Sequence, residues 1–154
     1  MSIKFKTKTN NFDERQLYER GKGFQYGFIA ALIMILLNSF AEDSNFILNP
    51  YSRFILSIWI PMTVCFVYFI VKDAYEGIKE QNGKIVMGIF LATGLFVLVI
   101  TTVRMIAGSA ELFIDSTLGD WIGQVSYSVC MIIISAVYFI KQHLDNKKES
   151  EDEE

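Results

Sequence analysis

The sequence predicts an all-α integral membrane protein, a four-helix bundle with both termini in the cytoplasm and short cytoplasmic helix extensions. Three observations predict it. The 154 residues are 52% apolar and 14% aromatic, more greasy surface than one small soluble core absorbs. The apolar residues fall in four nearly uncharged runs, Phe24 to Leu37, Phe54 to Val71, Ile85 to Val103 and Val125 to Ile140. With its flanks each run reaches roughly 17 to 20 residues, which at ~1.5 Å per residue nearly matches a ~30 Å hydrocarbon core. The basic residues, finally, are segregated by segment. Lys4, Lys6, Lys8, Arg15, Arg20 and Lys22 precede the first run, Lys72, Lys79 and Lys84 lie in the second loop, and Lys141, Lys147 and Lys148 follow the last run. The first and third loops carry only Arg53 and Arg104. This positive-inside bias places both termini and the second loop in the cytoplasm and the chain in the cell membrane.

The expected organisation is a charged cytoplasmic segment over 1–22, a four-span membrane domain over 23–142, and an acidic cytoplasmic tail over 143–154. The spans are expected at about 23–40, 54–72, 85–104 and 121–141. Backbone polar groups in hydrocarbon must be satisfied internally, and the runs lack the alternation of barrel strands, so the spans are helices. The runs also lack the polar face that a soluble bundle helix would show every third or fourth residue.

Before the first span, Asn11 with Glu14 predicts a capped helix start, with Asp13 and Glu14 at the positive end of the helix dipole. A helical stub follows from Asp13 to Arg20, carrying an Arg15–Glu19 same-face pair worth about 0.3 to 0.5 kcal/mol and a bend at Gly21 and Gly23. Ser39 and Ala41 form a small-x-small pair, but Asp13, Glu14 and Glu19 upstream argue against a cleaved leader. Gly23, Gly27 and Ala31 lay a smooth strip along the first span, with shorter strips at Gly88 and Ala92 and at Gly119 and Gly123. Such spacing predicts close packing against another span or a second copy.

Pro61 predicts a kink in the second span near Trp59 to Cys65. Lys72 with Glu76, and Glu76 with Lys79, predict that the second helix continues about two turns into the cytoplasm, stopping at Asn82-Gly83. In the third loop, the interleaved Glu111, Leu112, Phe113, Ile114 and Asp115 predict a short interfacial helix, with Trp121 as an aromatic anchor and Arg104 ending the third span, where it can pair with Glu111. Five acids among the last six residues make the net charge −3. That tail is expected to be solvated and disordered, and the remaining basic excess suits anionic headgroups.

No acid, base or histidine lies within the middle of a span, which argues against coupled transport. Cys65 and Cys130 sit in apolar runs and His143 in the tail, a set that supports neither zinc nor thiol redox chemistry. No metal, cofactor, nucleic-acid contact or enzymatic activity is expected. The residues offered for docking a partner are Asp13, Glu14, Arg15, Gln16, Glu19 and Arg20, with Lys72, Asp73, Tyr75 and Glu76 of the second loop.

The run Asn11-Phe12-Asp13-Glu14-Arg15-Gln16, then Arg20-Gly21-Lys22-Gly23-Phe24-Gln25-Tyr26-Gly27, resembles a group of small four-span membrane proteins frequent in Gram-positive bacteria. Those proteins carry an Asp-Glu-Arg-Gln motif just before the first span and are grouped as domains of unknown function. Asn49-Pro50-Tyr51 and Lys72-Asp73-Ala74-Tyr75 resemble the same group. The resemblance implies a role in sensing, or in holding a helix-turn-helix regulator at the membrane. Two readings stay open. One is a non-enzymatic signalling, regulatory or scaffold protein that docks a cytoplasmic partner, such as a transcriptional regulator. The other is a transport, permeability or bacteriocin-immunity component, acting as a homo-oligomer or as a subunit of a larger membrane complex.

Overall fold

The computed structural model describes residues 12–42, 48–75, 82–108, 113–114 and 117–152. Four helices carry the chain: α1 (Glu14–Glu42), α2 (Pro50–Val71), α3 (Gly83–Ile106) and α4 (Trp121–Asp152). Each is long and apolar enough to cross a membrane.

The start of α1 is set by Asp13. Its carboxylate accepts from the Gln16 N–H at 2.6 Å, and the Gln16 Oε1 accepts from the Asp13 N–H at 3.2 Å. That reciprocal pair is a capping box, shifted two residues from the expected one, because Gln at the third helical position can reach back as Glu does; Asn11 lies outside the described residues. α1 continues unbroken through Gly21 and Gly23.

Asn49 caps α2 by accepting from the Ser52 N–H at 2.7 Å, with Pro50 in the first helical position, where its missing donor costs nothing. Its amide also donates to Asp120 at 2.7 Å, tying the start of α2 to the residue before α4. Pro61 lies inside the continuous helix.

The other end of α2 differs from the expectation. Instead of continuing, the helix stops at Val71: Asp73 takes a left-handed φ of 54°, the Ala74 N–H donates to the Phe69 carbonyl at 2.8 Å, and the Asp73 N–H to the Ile70 carbonyl at 3.3 Å. These two bonds define a Schellman motif, in which the last free carbonyls are satisfied by chain that has already turned. Ala74 is fully buried beside it. Gly83 opens α3 rather than stopping α2.

Between α3 and α4, Phe113–Ile114 (β1) pairs antiparallel with Thr117–Leu118 (β2), Ile114 opposite Thr117. A two-residue ladder thus replaces the expected interfacial helix, as suits aromatic and β-branched residues; Glu111, Leu112 and Asp115 lie outside the described residues. The acidic tail is also corrected. α4 runs unbroken to Asp152, and Lys147 pairs with Glu151 at 3.6 Å one turn on, the interaction that supports a solvated helix.

The packing order is α1–α2–α4–α3, with α2 and α4 at the centre and α1 and α3 on the flanks. Gln124 of α4 meets Thr101 near the end of α3, and Gly123 meets Ser52 at the start of α2, so α2 and α4 are parallel and α3 opposes them. A buried core of Ile70, Met87 and Ile134 gathers at the end that carries the chain termini. There the Ser135 hydroxyl donates to the Met87 carbonyl at 3.0 Å. The outer surface is apolar, with Phe28 65% and Phe96 66% exposed. Such a surface suits contact with lipid and not with water.

Candidate functional site

The Schellman turn leaves the carbonyls of Asp73 and Ala74 pointing away from α2, and neighbouring helices supply their donors. From α1, the Gln16 Nε2 donates to the Asp73 carbonyl at 2.8 Å and an Arg20 guanidinium nitrogen to the Ala74 carbonyl at 3.2 Å. From α4, the Lys141 ammonium donates to the Ile70 carbonyl at 2.8 Å and pairs with the Asp73 carboxylate. Cations and amides at a helix C-terminus also offset the negative end of its dipole. One turn of chain therefore ties the end of α2 to the first turns of α1 and to the body of α4.

A groove of about 340 Å³ opens against this turn. Gln16, Asp73, Tyr75, Lys141, Asp145 and Asn146 line it, so it offers amide, carboxylate and ring surfaces together. The ring of Tyr75 stacks edge-on with Tyr138 at 6.1 Å and walls the apolar side. Lys141 is committed to the carbonyl and carboxylate of α2, which makes it a positioning cation and not a free nucleophile.

The residues expected from sequence separate into three roles here. Gln16, Arg20, Asp73 and Tyr75 converge on the α2 turn, while Asp13 is occupied in capping α1. Glu19 takes the Tyr68 hydroxyl at 2.6 Å and Lys22 at 3.9 Å rather than Arg15. Glu19 precedes the apolar run of α1, and the Tyr68 hydroxyl donating to it holds its carboxyl below the usual carboxylate range. Glu14, Arg15 and Lys72 are exposed. Glu76 lies outside the described residues.

Lys141 and Tyr68 were not anticipated. Lys141 is the first cation after the last apolar run, a position from which a lysine reaches back to helix ends. No spacing in the sequence, however, ties it to residue 73.

Among the small residues, a Cβ on Gly23 would collide with the Phe69 ring, and one on Gly27 would lie 3.1 Å from the Cys65 Cβ and 3.3 Å from the Pro61 carbonyl. Both glycines sit where α1 crosses α2. Ala31 is half-buried. The pair at 88 and 92 is not at the α3–α4 crossing: a Cβ on Gly88 meets nothing within 4 Å, and Ala92 is exposed. Gly94 takes that place instead, with Met131 and the Ser128 carbonyl each 3.1 Å from its would-be Cβ. Gly123 packs against Tyr51 and Ser52 of α2, whereas Gly119 is buried but lies before the start of α4.

No family model, curated protein or solved structure matches this chain.

Proposed function

We propose that the chain is a multi-pass membrane protein with both termini in the cytoplasm, acting without catalysis as a signalling, regulatory or scaffold protein that docks a soluble cytoplasmic partner. The observation that carries this reading is the α2 turn, held from two sides by Gln16, Arg20 and Lys141. It supplies what a docking surface needs, a fixed backbone with a mixed-polarity groove beside it. Exposed Glu14, Arg15, Lys72 and Asp145 surround the turn with charge of both signs. Charges at the rim of an interface set association rate and partner choice more than affinity. A helix-turn-helix regulator is the partner class implied by the Asp13 to Gln16 resemblance.

Photo-crosslinking of the intact protein tests this. A crosslinker at Asp145 is expected to trap one discrete cytoplasmic protein, and one at Phe96, on the apolar surface, is not. Charge reversal at Glu14, Arg15 and Lys72 together is expected to abolish the product. An unchanged product in that variant overturns the site. Labelling of Ser150→Cys in a background lacking Cys65 and Cys130 tests the topology, because reaction from the outer side contradicts a cytoplasmic tail.

A further inference from the structure

A second cleft adjoins that docking surface, sharing Arg20 and Tyr75 with it and otherwise lying apart. It runs between α1 and α2, with a volume of about 450 Å³, walled by Phe24, Gly27, Phe28, Met62, Phe66 and Phe69. Gly27 contributes no side chain, and Phe24 and Phe28 are 59% and 65% exposed along it. Arg20 stands at its end nearest the chain termini.

Arg20 is held in an unusual way for a surface cation. Its guanidinium carbon lies 4.2 Å from the centre of the Phe12 ring and 5.3 Å from that of Phe69, and one nitrogen is fixed by the Ala74 carbonyl. No carboxylate pairs with it among the described residues. The aromatic faces orient a planar ion that has five N–H donors, of which one is used within the described residues. A positioned guanidinium with no carboxylate partner among the described residues is matched by a phosphate, which accepts two parallel hydrogen bonds.

We propose that this cleft binds an anionic glycerophospholipid, with its phosphate on Arg20 and one acyl chain lying along Phe24, Phe28, Met62 and Phe66. The proposal rests on the membrane reading above, which puts Arg20 at the cytoplasmic headgroup level. The dimensions agree. From Arg20 to Phe28 is about 12 Å of helix, close to the depth of one leaflet of a ~30 Å core. The packing order supplies the opening, because α1 has its principal contacts with α2 and leaves its other flank to lipid. A soluble partner would meet only hydrocarbon-level rings over most of this length, whereas a lipid satisfies the rings and the cation together.

The test uses the intact protein in nanodiscs containing phosphatidylglycerol and phosphatidylcholine, with native mass spectrometry of the released protein reading which lipid remains bound. Retained phosphatidylglycerol is expected to exceed its share of the disc by about five-fold, the effect of one cation at an anionic surface. Arg20→Gln is expected to remove that preference. Arg20→Lys keeps the charge and a donor towards Ala74 but loses the planar fork, and is expected to retain part of the preference with the fold intact, which separates loss of the site from loss of the fold. Met62→Trp, at an exposed position in the cleft, is expected to lower occupancy by either lipid without changing the headgroup preference.

Retention in proportion to the disc composition overturns the proposal. So does a preference unaltered by Arg20→Gln, occupancy unaltered by Met62→Trp, or full displacement by inorganic phosphate, which marks a site for the free anion. A chain that the discs do not hold overturns the membrane reading and the proposal together; a disc-borne chain without lipid preference overturns the proposal alone.

Discussion

The side-chain amide of Gln16 donates to the backbone carbonyl of Asp73 at 2.8 Å, bridging 57 residues of sequence. Its oxygen meanwhile accepts from the Asp13 N–H. One side chain thus closes the start of α1 and holds the turn that ends α2, so the local signal for a helix start and a long-range contact reside in the same residue.

Gln16→Ala is therefore expected to cost about 1 to 2 kcal/mol, the sum of a lost cap and a lost exposed hydrogen bond. Gln16→Glu keeps the oxygen facing the Asp13 N–H but has no donor for the Asp73 carbonyl, and should cost about half as much. Unfolding of the detergent-solubilised protein measures both. No loss in Gln16→Glu would assign no stability to the Asp73 contact.

At Asp73 two effects oppose each other. Its left-handed φ of 54° strains any residue with a Cβ by about 1 kcal/mol, and glycine removes that strain. The carboxylate offsets it through Lys141, in a pair whose acid is 60% exposed and so contributes under about 1 kcal/mol. Asp73→Gly should then be close to neutral, Asp73→Asn slightly destabilising, and Asp73→Val worse by about 1 to 2 kcal/mol. The same unfolding assay gives the ranking; valine tolerated as well as glycine would contradict the turn.

Gly27→Val and Gly88→Val should differ in kind. The first forces side-chain atoms between α1 and α2 where even a Cβ lies 3.1 Å from Cys65, and overpacking of that kind costs about 1 to 3 kcal/mol. The second adds atoms where no neighbour lies within 4 Å and should change stability little. Cysteine crosslinking of Asn38→Cys to Ser57→Cys, whose native side chains are 2.5 Å apart, reports directly on the α1–α2 contact. It should fall in Gly27→Val and persist in Gly88→Val.

The Glu19–Tyr68 hydrogen bond makes a prediction about pH. A carboxyl whose folded value is depressed contributes stability that is present above its unfolded value, ordinarily 4.5, and lost as pH falls through the lower folded value. Tyr68→Phe removes the main cause of the depression. It should destabilise the protein at neutral pH, with a difference from wild type that shrinks as pH falls below about 4.5. Unfolding curves across that range check it, and a difference independent of pH would mean that the tyrosine acts through packing alone.

Much of the architecture is determined by the sequence itself. Runs such as Ile85 to Val103 must form helices in any environment that suits them, because their backbone groups have no other partners within hydrocarbon, and all four appear as helices with ends within a few residues of those expected, apart from the extensions of α1 and α4. The Gly23–Gly27 spacing likewise indicated a close helix approach, because a missing Cβ is a local property.

The tertiary structure alone decided the remainder. Lys72 and Glu76 have a helical spacing, yet α2 ends at Val71, because Gln16, Arg20 and Lys141 from two other helices satisfy the carbonyls of a chain that turns there. The strips at Gly88–Ala92 and at Gly94 are equally small in sequence, and only the face that α3 turns to α4 chooses Gly94. Helix formation depends on neighbours three and four residues away, whereas caps and crossings depend on groups contributed by distant chain. A single sequence records the first kind of interaction directly and the second only as residues whose partners have yet to be found.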